Sequence, residues 1–424
     1  MPLYCERLDG WTSIADTFVS FFGNLPGAFW LDREHHPAER YSIIGAGQPA
    51  AGLEFEEAVD NLDLPFSFRP GYVGVIHYPQ KAGDIEGSSL LAVDRAFVYG
   101  HDDRSMHFIG NFSDRQAFDA WYHAALLRLA LIGGESSSYE LNNPAATAAE
   151  LVPEDSREDY LKKISECQAH IAAGDVYQLC LTTRLRGEVV GDPLSYFLRI
   201  RKQHPAPYAS FVRLDGATYV SISPELFISV SGKHVISSPI KGTRPRSADE
   251  AEDLQLMNQL GADAKERAEN LMIVDLIRND LTSCCDPASV SVDSLLEVRS
   301  YSPVHQLVSD VSGELREGKR GMDALRALLP GGSMTGAPKI RAMEIISEIE
   351  SSPRAGYSGA IGWIAQNQDM ELAMVIRTAV FAGSEVSFGI GGGITSDSRP
   401  ESEHDEIRLK AMALADVLGA RVRW

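Results

Sequence analysis

Lys241 stands in the segment Ser238-Pro239-Ile240-Lys241-Gly242-Thr243-Arg244-Pro245-Arg246, with no acidic residue beside it along the chain and arginines three and five positions on. Like charges so close raise the cost of protonating its amine, which makes Lys241 a candidate nucleophile. The segment reads as a strand from His234 to Ile240 that runs into a Gly/Pro-punctuated turn, a place from which a side chain can be aimed into a cleft. The plainer alternative is a basic turn that pairs with surface carboxylates.

Two predicted helices each carry glutamates spaced i, i+3: Glu266 with Glu269, and Glu403 with Glu406. That spacing puts each pair on one helix face. Four carboxylates brought together repel unless a cation sits among them, and a hard divalent ion such as Mg²⁺ suits oxygen donors. Each pair taken singly also fits a solvated helix face, because acidic residues suit first turns. The segment from Pro330 to Lys339, with Ser333 and Thr335, leads into a helix with Ile340, Met343, Ile346 and Ile349 on one stripe. Small residues before a helix start offer N–H groups and hydroxyls to an anion. The phosphate-loop register fails, since Ala337 stands where its lysine is required, so a carboxylate is the expected ligand. Gly389 to Thr395 reads as a glycine-rich turn that lets backbone approach a ligand just before the Glu403/Glu406 helix; it lacks the dinucleotide fingerprint. Arg377, set in an apolar predicted strand, wants a carboxylate partner, either from a ligand or from within the protein.

The elements that must position these groups are legible in part. Of 424 residues, 44% are hydrophobic and 23% charged, as in a folded globular protein with a large core. The net charge of −20 argues against general binding to nucleic acid or anionic membrane. No apolar run approaches bilayer-spanning length and the N-terminus carries Glu6, Asp9 and Asp16 rather than a signal pattern, so a cytoplasmic protein is expected. Cys5, Cys167, Cys180, Cys284 and Cys285 have no metal or redox spacing and read as reduced thiols. Gly133 to Ser156 reads as a long loop, which divides the chain into a strand-rich region 1–133, a linker 134–155 and a region 156–424. A capped amphipathic helix follows Ser156, with Leu161, Ile164, Cys167 and Ile171 on one face and Gly174 at its end. Strands are expected at Val176–Leu185, Tyr219–Val230, Tyr357–Gln366, Leu372–Phe381 and Val386–Ile390. Helices are expected at Ala248–Leu260, Asp263–Asp280, Gly321–Leu329, Pro338–Glu350 and Pro400–Leu418. Grouped strands with surrounding helices imply an α+β fold.

From about Asp155 to Ala415 these motifs resemble the chorismate-utilising enzymes, which include anthranilate synthase component I, aminodeoxychorismate synthase component I and the isochorismate and salicylate synthases. Glu39 to Gly45 is similar to the N-terminal part of the members that add an amino group. The resemblance implies one large chorismate-binding fold, with antiparallel sheets in two subdomains and helices around them. Pro-Ile-Lys-Gly-Thr around Lys241 resembles the aminodeoxychorismate synthase subgroup, where anthranilate synthases usually have alanine for the lysine. That implies attack of Lys241 on C2 of chorismate, Glu225 as general acid, and ammonia as the second nucleophile, with Gln178 where water-adding members have a lysine. It further implies Mg²⁺ on Glu269 and Glu406, with Glu266 and Glu403 acting through water. The remaining substrate contacts would be Arg377, Tyr357, Lys410 and Gly391 to Gly393 near the enolpyruvyl group, with His305, Gly242, Thr243, Ser333 and Thr335 around the rest. No glutaminase motif is found, so a separate glutamine amidotransferase subunit is expected to supply ammonia. Many members bind tryptophan near an N-terminal Leu-Leu-Glu-Ser segment, matched here by Phe29 to Asp32. The alternatives are an anthranilate synthase component I and a non-catalytic subunit that binds chorismate or tryptophan to regulate a partner.

Overall fold

The computed structural model describes residues 1–55, 62–301 and 304–424. The fold is α+β, built on two large sheets whose strand pairings are antiparallel apart from Glu150–Pro153 beside Arg421–Val422. The first sheet runs in the order Leu3–Asp9, Ser105–Asn111, Arg95–Gly100, Tyr41–Ala46, Ala28–Asp32, Tyr208–Leu214, Ala217–Ser223, Thr378–Ala382, Glu385–Ile394, Gln178–Val190, Glu150–Pro153 and Arg421–Val422. The second runs Ile240–Pro245, Val304–Glu314, His234–Ser238, Leu226–Ser231, Met370–Met374, Ala360–Ala365, Gly71–Ile76, Ser89–Val93 and Gln48–Pro49, and Ser291–Ser300 adds to Val304–Glu314.

The sheets pack face to face across a buried layer in which Phe29, Leu31, Val98 and Val212 of the first meet Val73, Val75, Leu91 and Ile361 of the second. Strands covered on both faces become largely apolar, and Ala28–Asp32 is buried at every residue, its one charged member Asp32 paired with Arg201. Outside the first sheet lie the helices Ile14–Phe22, Arg115–Leu129, Arg157–Ala172, Pro193–Gln203, Lys339–Ile349 and Pro400–Leu418. Outside the second lie Ala264–Thr282 and Gly321–Leu328, through Ile273, Val274, Ile277, Met322 and Leu325. Among the described residues no helix is long and apolar enough to cross a membrane.

Several elements differ from the sequence reading. The segment 134–155 is not a bare linker: it holds the helix Glu135–Asn142 and the strands Thr147–Ala148 and Glu150–Pro153, which pair with Gln178–Val190. Its polar composition comes chiefly from the helix Glu135–Asn142, none of whose residues is buried. Strands from residues before 133 and after 156 share both sheets, so 134–155 does not mark a break in the architecture. The predicted strands Tyr219–Val230 and Leu372–Phe381 are each split. The first leaves one sheet after Ser223 and enters the other at Leu226; the second leaves at Met374 and returns at Thr378. Both runs are apolar on either side of the break, and periodicity alone carries no mark of a change of sheet.

Gly389 to Ile394 is a strand rather than a turn, with Gly393, Gly392 and Gly391 opposite Cys180, Leu181 and Thr182. Glycine is required there by close approach: a Cβ on Gly389 would run into the ring of Tyr357. Replacing Gly389 with alanine is therefore expected to destabilise the protein by about 1–3 kcal/mol through overpacking. A urea denaturation midpoint indistinguishable from that of the unsubstituted protein would contradict this contact.

Candidate functional site

The two strand crossovers lie side by side at the seam of the sheets. The Ile222 amide donates to Arg377 O at 3.1 Å, and the Met374 amide donates to Glu225 O at 3.0 Å. Glu225 and Arg377 are thus brought together by backbone pairing. Arg377 is not inside a strand as the sequence suggested; it takes a left-handed backbone with φ of 49° at the turn between sheets. Glu225 is buried, and its carboxyl accepts 2.8 Å from the Ser333 hydroxyl. Burial pushes this carboxyl up to about 7, against the opposing pull of the Ser333 bond and of the Lys241 and Arg377 charges. Arg377 keeps a solvent-exposed surface but is closely surrounded, and the partial loss of hydration lowers its guanidinium while Glu225 opposes the shift.

Lys241 lies on the edge strand Ile240–Pro245, followed by a bulge at Gly242 with φ of 75°. A side chain on Gly242 would be strained by that φ and would press on Glu266, 3.0 Å from its Cδ. The arginines expected to burden Lys241 are neutralised: Arg244 pairs with Asp263 at 2.9 Å and Arg246 with Asp253 at 2.8 Å. Its own neighbour is acidic, since Nζ lies 3.9 Å from Glu269 Oε2. The absence of a carboxylate near Lys241 was a property of the chain and not of the fold.

Asp263 caps the helix Ala264–Thr282 by accepting from the Lys265 and Glu266 amides, and Pro400 opens the helix Pro400–Leu418. Glu266 and Glu403 therefore sit in first turns, where the positive end of the helix dipole favours them, and Glu269 and Glu406 follow on the same faces. Glu403, Glu406 and Glu269 border the glycine strand: a Cβ on Gly392 would lie 3.7 Å from both Glu403 Oε2 and Glu406 Oε1, and one on Gly393 would lie 3.4 Å from Glu269 Oε2. Burial, then the charges of Glu269 and Glu406, raise the Glu266 carboxyl. Burial also raises Glu269, against the pull of Lys241 and Lys265. Burial raises Glu406 in the same way, but the charge and hydrogen bond of Lys410 at 2.8 Å, with Lys265 and Lys241 beyond it, outweigh burial and lower that carboxyl.

Lys265, overlooked in the sequence, bridges two of these groups, 3.0 Å from Glu403 Oε1 and 3.8 Å from Glu269 Oε1. Its i, i+4 spacing to Glu269 was the available signal. The donors are carboxylate oxygens, the type a hard divalent cation takes. Among the described residues no three such side chains stand close enough together to hold an ion as they are. Lys410 also donates to Gly391 O at 2.8 Å.

Gln178 is buried beside Gly393, its amide nitrogen 3.4 Å from where a Cβ would stand, and neither side-chain polar atom has a hydrogen-bond partner. Tyr357 packs over Gly389, and burial raises its phenol. Thr243 pairs across the sheet with Gln306. Thr335 turns its hydroxyl back to Gly331 O at 3.1 Å and is fully buried. His305 is likewise buried, with its ring nitrogens 2.8 Å from Ser300 Oγ and 3.0 Å from Asp253 Oδ1. Neither of these two joins the Lys241 and Glu225 groups through a direct contact. In the N-terminal segment, Trp30 packs on Phe18 and Phe197, and Asp32 binds Arg201.

A model of the chorismate binding enzymes matches residues 35–416. The chain belongs to that family. It is 40% identical over 84% of its length to aminodeoxychorismate synthase of Streptomyces griseus, of which it covers 51%. It is 34% identical over 98% of its length to anthranilate synthase component 1 of Streptomyces coelicolor, covering 88% of that protein. Several curated relatives named as aminodeoxychorismate synthases are longer, and the chain spans between 42% and 62% of them. Among solved structures, anthranilate synthase component I from Streptococcus pneumoniae superposes with a TM-score of 0.76 at 26% identity, covering 98% of this chain and 93% of that one.

The buried Glu225 gives a stability test that needs no substrate. Its folded value lies above its ordinary 4.5, so the stabilisation is complete below that pH and is lost as pH rises through about 7. The stability of Glu225→Gln relative to the unsubstituted protein should rise by about 3 kcal/mol between pH 4.5 and 8, from a shift of that size at about 1.4 kcal/mol per pH unit. A difference that stays constant across this range, measured by urea denaturation, would rule out the raised carboxyl.

Proposed function

We propose that the chain aminates chorismate to 4-amino-4-deoxychorismate, as an aminodeoxychorismate synthase component I on the route to p-aminobenzoate and folate. The observation that carries this reading is the placement of Lys241 beside Glu269, in electrostatic reach of a buried Glu225 that holds a proton up to about pH 7. In this reading the free amine of Lys241 bonds to C2 of chorismate as the ring double bonds shift and the C4–O bond breaks. Glu225 gives its proton to the departing hydroxyl, which leaves as water. Ammonia then bonds to C4, the double bonds shift back, and the C2–N bond to Lys241 breaks. The proton shed by the incoming nitrogen returns to Glu225. Gln178, an amide rather than a base, suits ammonia as the incoming group better than water.

Arg377, Tyr357, Lys410, Ser333 and the Gly391–Gly393 strand would hold the substrate's polar groups, with Thr335, Thr243, Gly242 and His305 supporting the walls. Glu269 and Glu406 would hold Mg²⁺, with Glu266 and Glu403 next to them, and the ion would neutralise the ring carboxylate of chorismate. The carboxylates would exchange Lys265 and Lys410 for the ion. A separate glutamine amidotransferase subunit would supply ammonia, and the free cysteines are in keeping with a cytoplasmic location. The likeness to anthranilate synthase component 1 over nearly the whole chain supports a second reading, nitrogen entry at C2 with loss of pyruvate.

Mass spectrometry of products from chorismate, Mg²⁺ and ammonium salt separates the two. Aminodeoxychorismate is expected, and anthranilate as the main product would overturn the choice. Lys241→Ala should abolish the covalent adduct and either lower amination by at least a hundredfold or divert it to anthranilate; an unchanged rate and product would refute the nucleophile. Millimolar Mg²⁺ should raise the melting temperature of the unsubstituted protein but not of Glu269→Gln or Glu406→Gln. Equal shifts in all three would remove the ion from this site.

A further inference from the structure

Three walls of the cleft meet at one buried ion pair that takes no part in the chemistry just described. Glu350 stands at the end of the helix Lys339–Ile349, and Arg354 follows it by one turn's spacing. Arg354 is buried and donates from Nε and Nη2 to Glu350 at 2.9 and 2.6 Å. Its shorter remaining bonds go to main chain, Nη2 to Cys180 O at 2.7 Å and Nη1 to Met334 O, and Nη1 also donates to Ser358 Oγ at 3.5 Å. The guanidinium lies 4.6 Å from the centre of the Tyr78 ring. Glu350 in turn accepts 2.8 Å bonds from both the amide and the hydroxyl of Thr182.

Each of these contacts lands on a segment that lines the site. Met334 lies between Ser333, which donates to Glu225, and Thr335, whose carbonyl accepts from the Cys180 amide at 2.6 Å. Cys180 and Thr182 are opposite Gly393 and Gly391 in the sheet. Tyr357, which covers Gly389, donates its amide to Arg354 O at 3.1 Å. A buried ion pair is a weak source of net stability, because desolvation offsets the attraction, so what it contributes here is the geometry it imposes.

We infer that Arg354 and Glu350 are positioning residues for the proton transfer: together they clamp the Ser333–Thr335 loop to the strand Gln178–Val190, so that the Ser333 hydroxyl meets the Glu225 carboxyl. The inference rests on the reading of Glu225 as general acid. The groups that face Glu225 are Ser333 from the loop, Lys241 from the edge strand and Arg377 from the crossover. A change at Arg354 or Glu350 leaves both charges in place and acts through Ser333.

The experiment is kcat against pH, at saturating chorismate and constant saturating free ammonia, for the unsubstituted protein, Ser333→Ala, Arg354→Lys, Glu350→Gln and the Ser333→Ala/Arg354→Lys double variant. The unsubstituted protein should lose activity as pH rises through about 7. Losing the Ser333 bond makes Glu225 harder to ionise, so Ser333→Ala should move that limb to higher pH. Arg354→Lys should move it in the same direction, with kcat lowered about tenfold and KM for chorismate changed less than threefold, and the double variant should move it no further than Ser333→Ala alone. Glu350→Gln keeps an oxygen for Thr182 and carries the same test if Arg354→Lys is too unstable to purify. A limb that moves in Ser333→Ala but stays in place in both Arg354→Lys and Glu350→Gln would overturn the inference. A limb missing from the unsubstituted protein would overturn the general-acid reading, and this inference with it.

Discussion

The site depends on two adjacent places where a strand leaves one sheet for the other. At Pro224-Glu225 and at Val375–Arg377 the backbone abandons the ladder of one sheet before joining the next, and at such a gap the amides and carbonyls must find other partners. They find each other: Ile222 binds Arg377 and Met374 binds Glu225 through main chain. That reciprocal pairing holds an acid and a guanidinium side by side at the seam of the two sheets. It also places Glu225 where hydration is poor enough to keep a proton near neutrality.

Electrostatics around this seam are arranged in alternating signs. The carboxylates Glu266, Glu269, Glu403 and Glu406 come from the N-terminal halves of two helices, and the side chains of Lys241, Lys265 and Lys410 lie among them. Glu269, Glu403 and Glu406 against a strand of glycines form a negative floor that backbone can approach closely. Nearly all of the chain's excess negative charge is elsewhere; within the cleft the balance is close, which suits an anionic substrate on a protein of net charge −20.

Rigidity is supplied from behind the cleft. The Arg354–Glu350 pair, the Lys339–Asp280 pair at 2.6 Å and the capped start of the Ala264–Thr282 helix tie together segments far apart in the chain. Lys339 joins the helix behind the Ser333 loop to the helix that bears Glu266 and Glu269. Such buried pairs fix register more than they add stability, and fixed register is what a site assembled from several crossovers and loops requires.

Local chemistry and helical periodicity were legible in the chain itself. The glutamate pairs at i, i+3, the capping residue Ser156, the Lys241 segment and the small-residue loop before Lys339 all depend on neighbours within a few positions, and the helices expected from the chain form within a few residues of their expected bounds. The α+β class followed from the grouping of strands. Contacts between distant residues were decided only by the tertiary structure. The carboxylate beside Lys241 is 28 positions away in Glu269, the arginines near Lys241 are neutralised by Asp263 and Asp253, and the breaks that carry Glu225 and Arg377 fall inside segments that each read as one strand. Gly391 to Gly393 read as a turn by composition but lie in a strand, because what selects glycine there is a neighbouring chain pressing close. Spacing along the chain reports what one helix or strand can present, whereas charge balance, desolvation and close approach are set by what the fold brings alongside it.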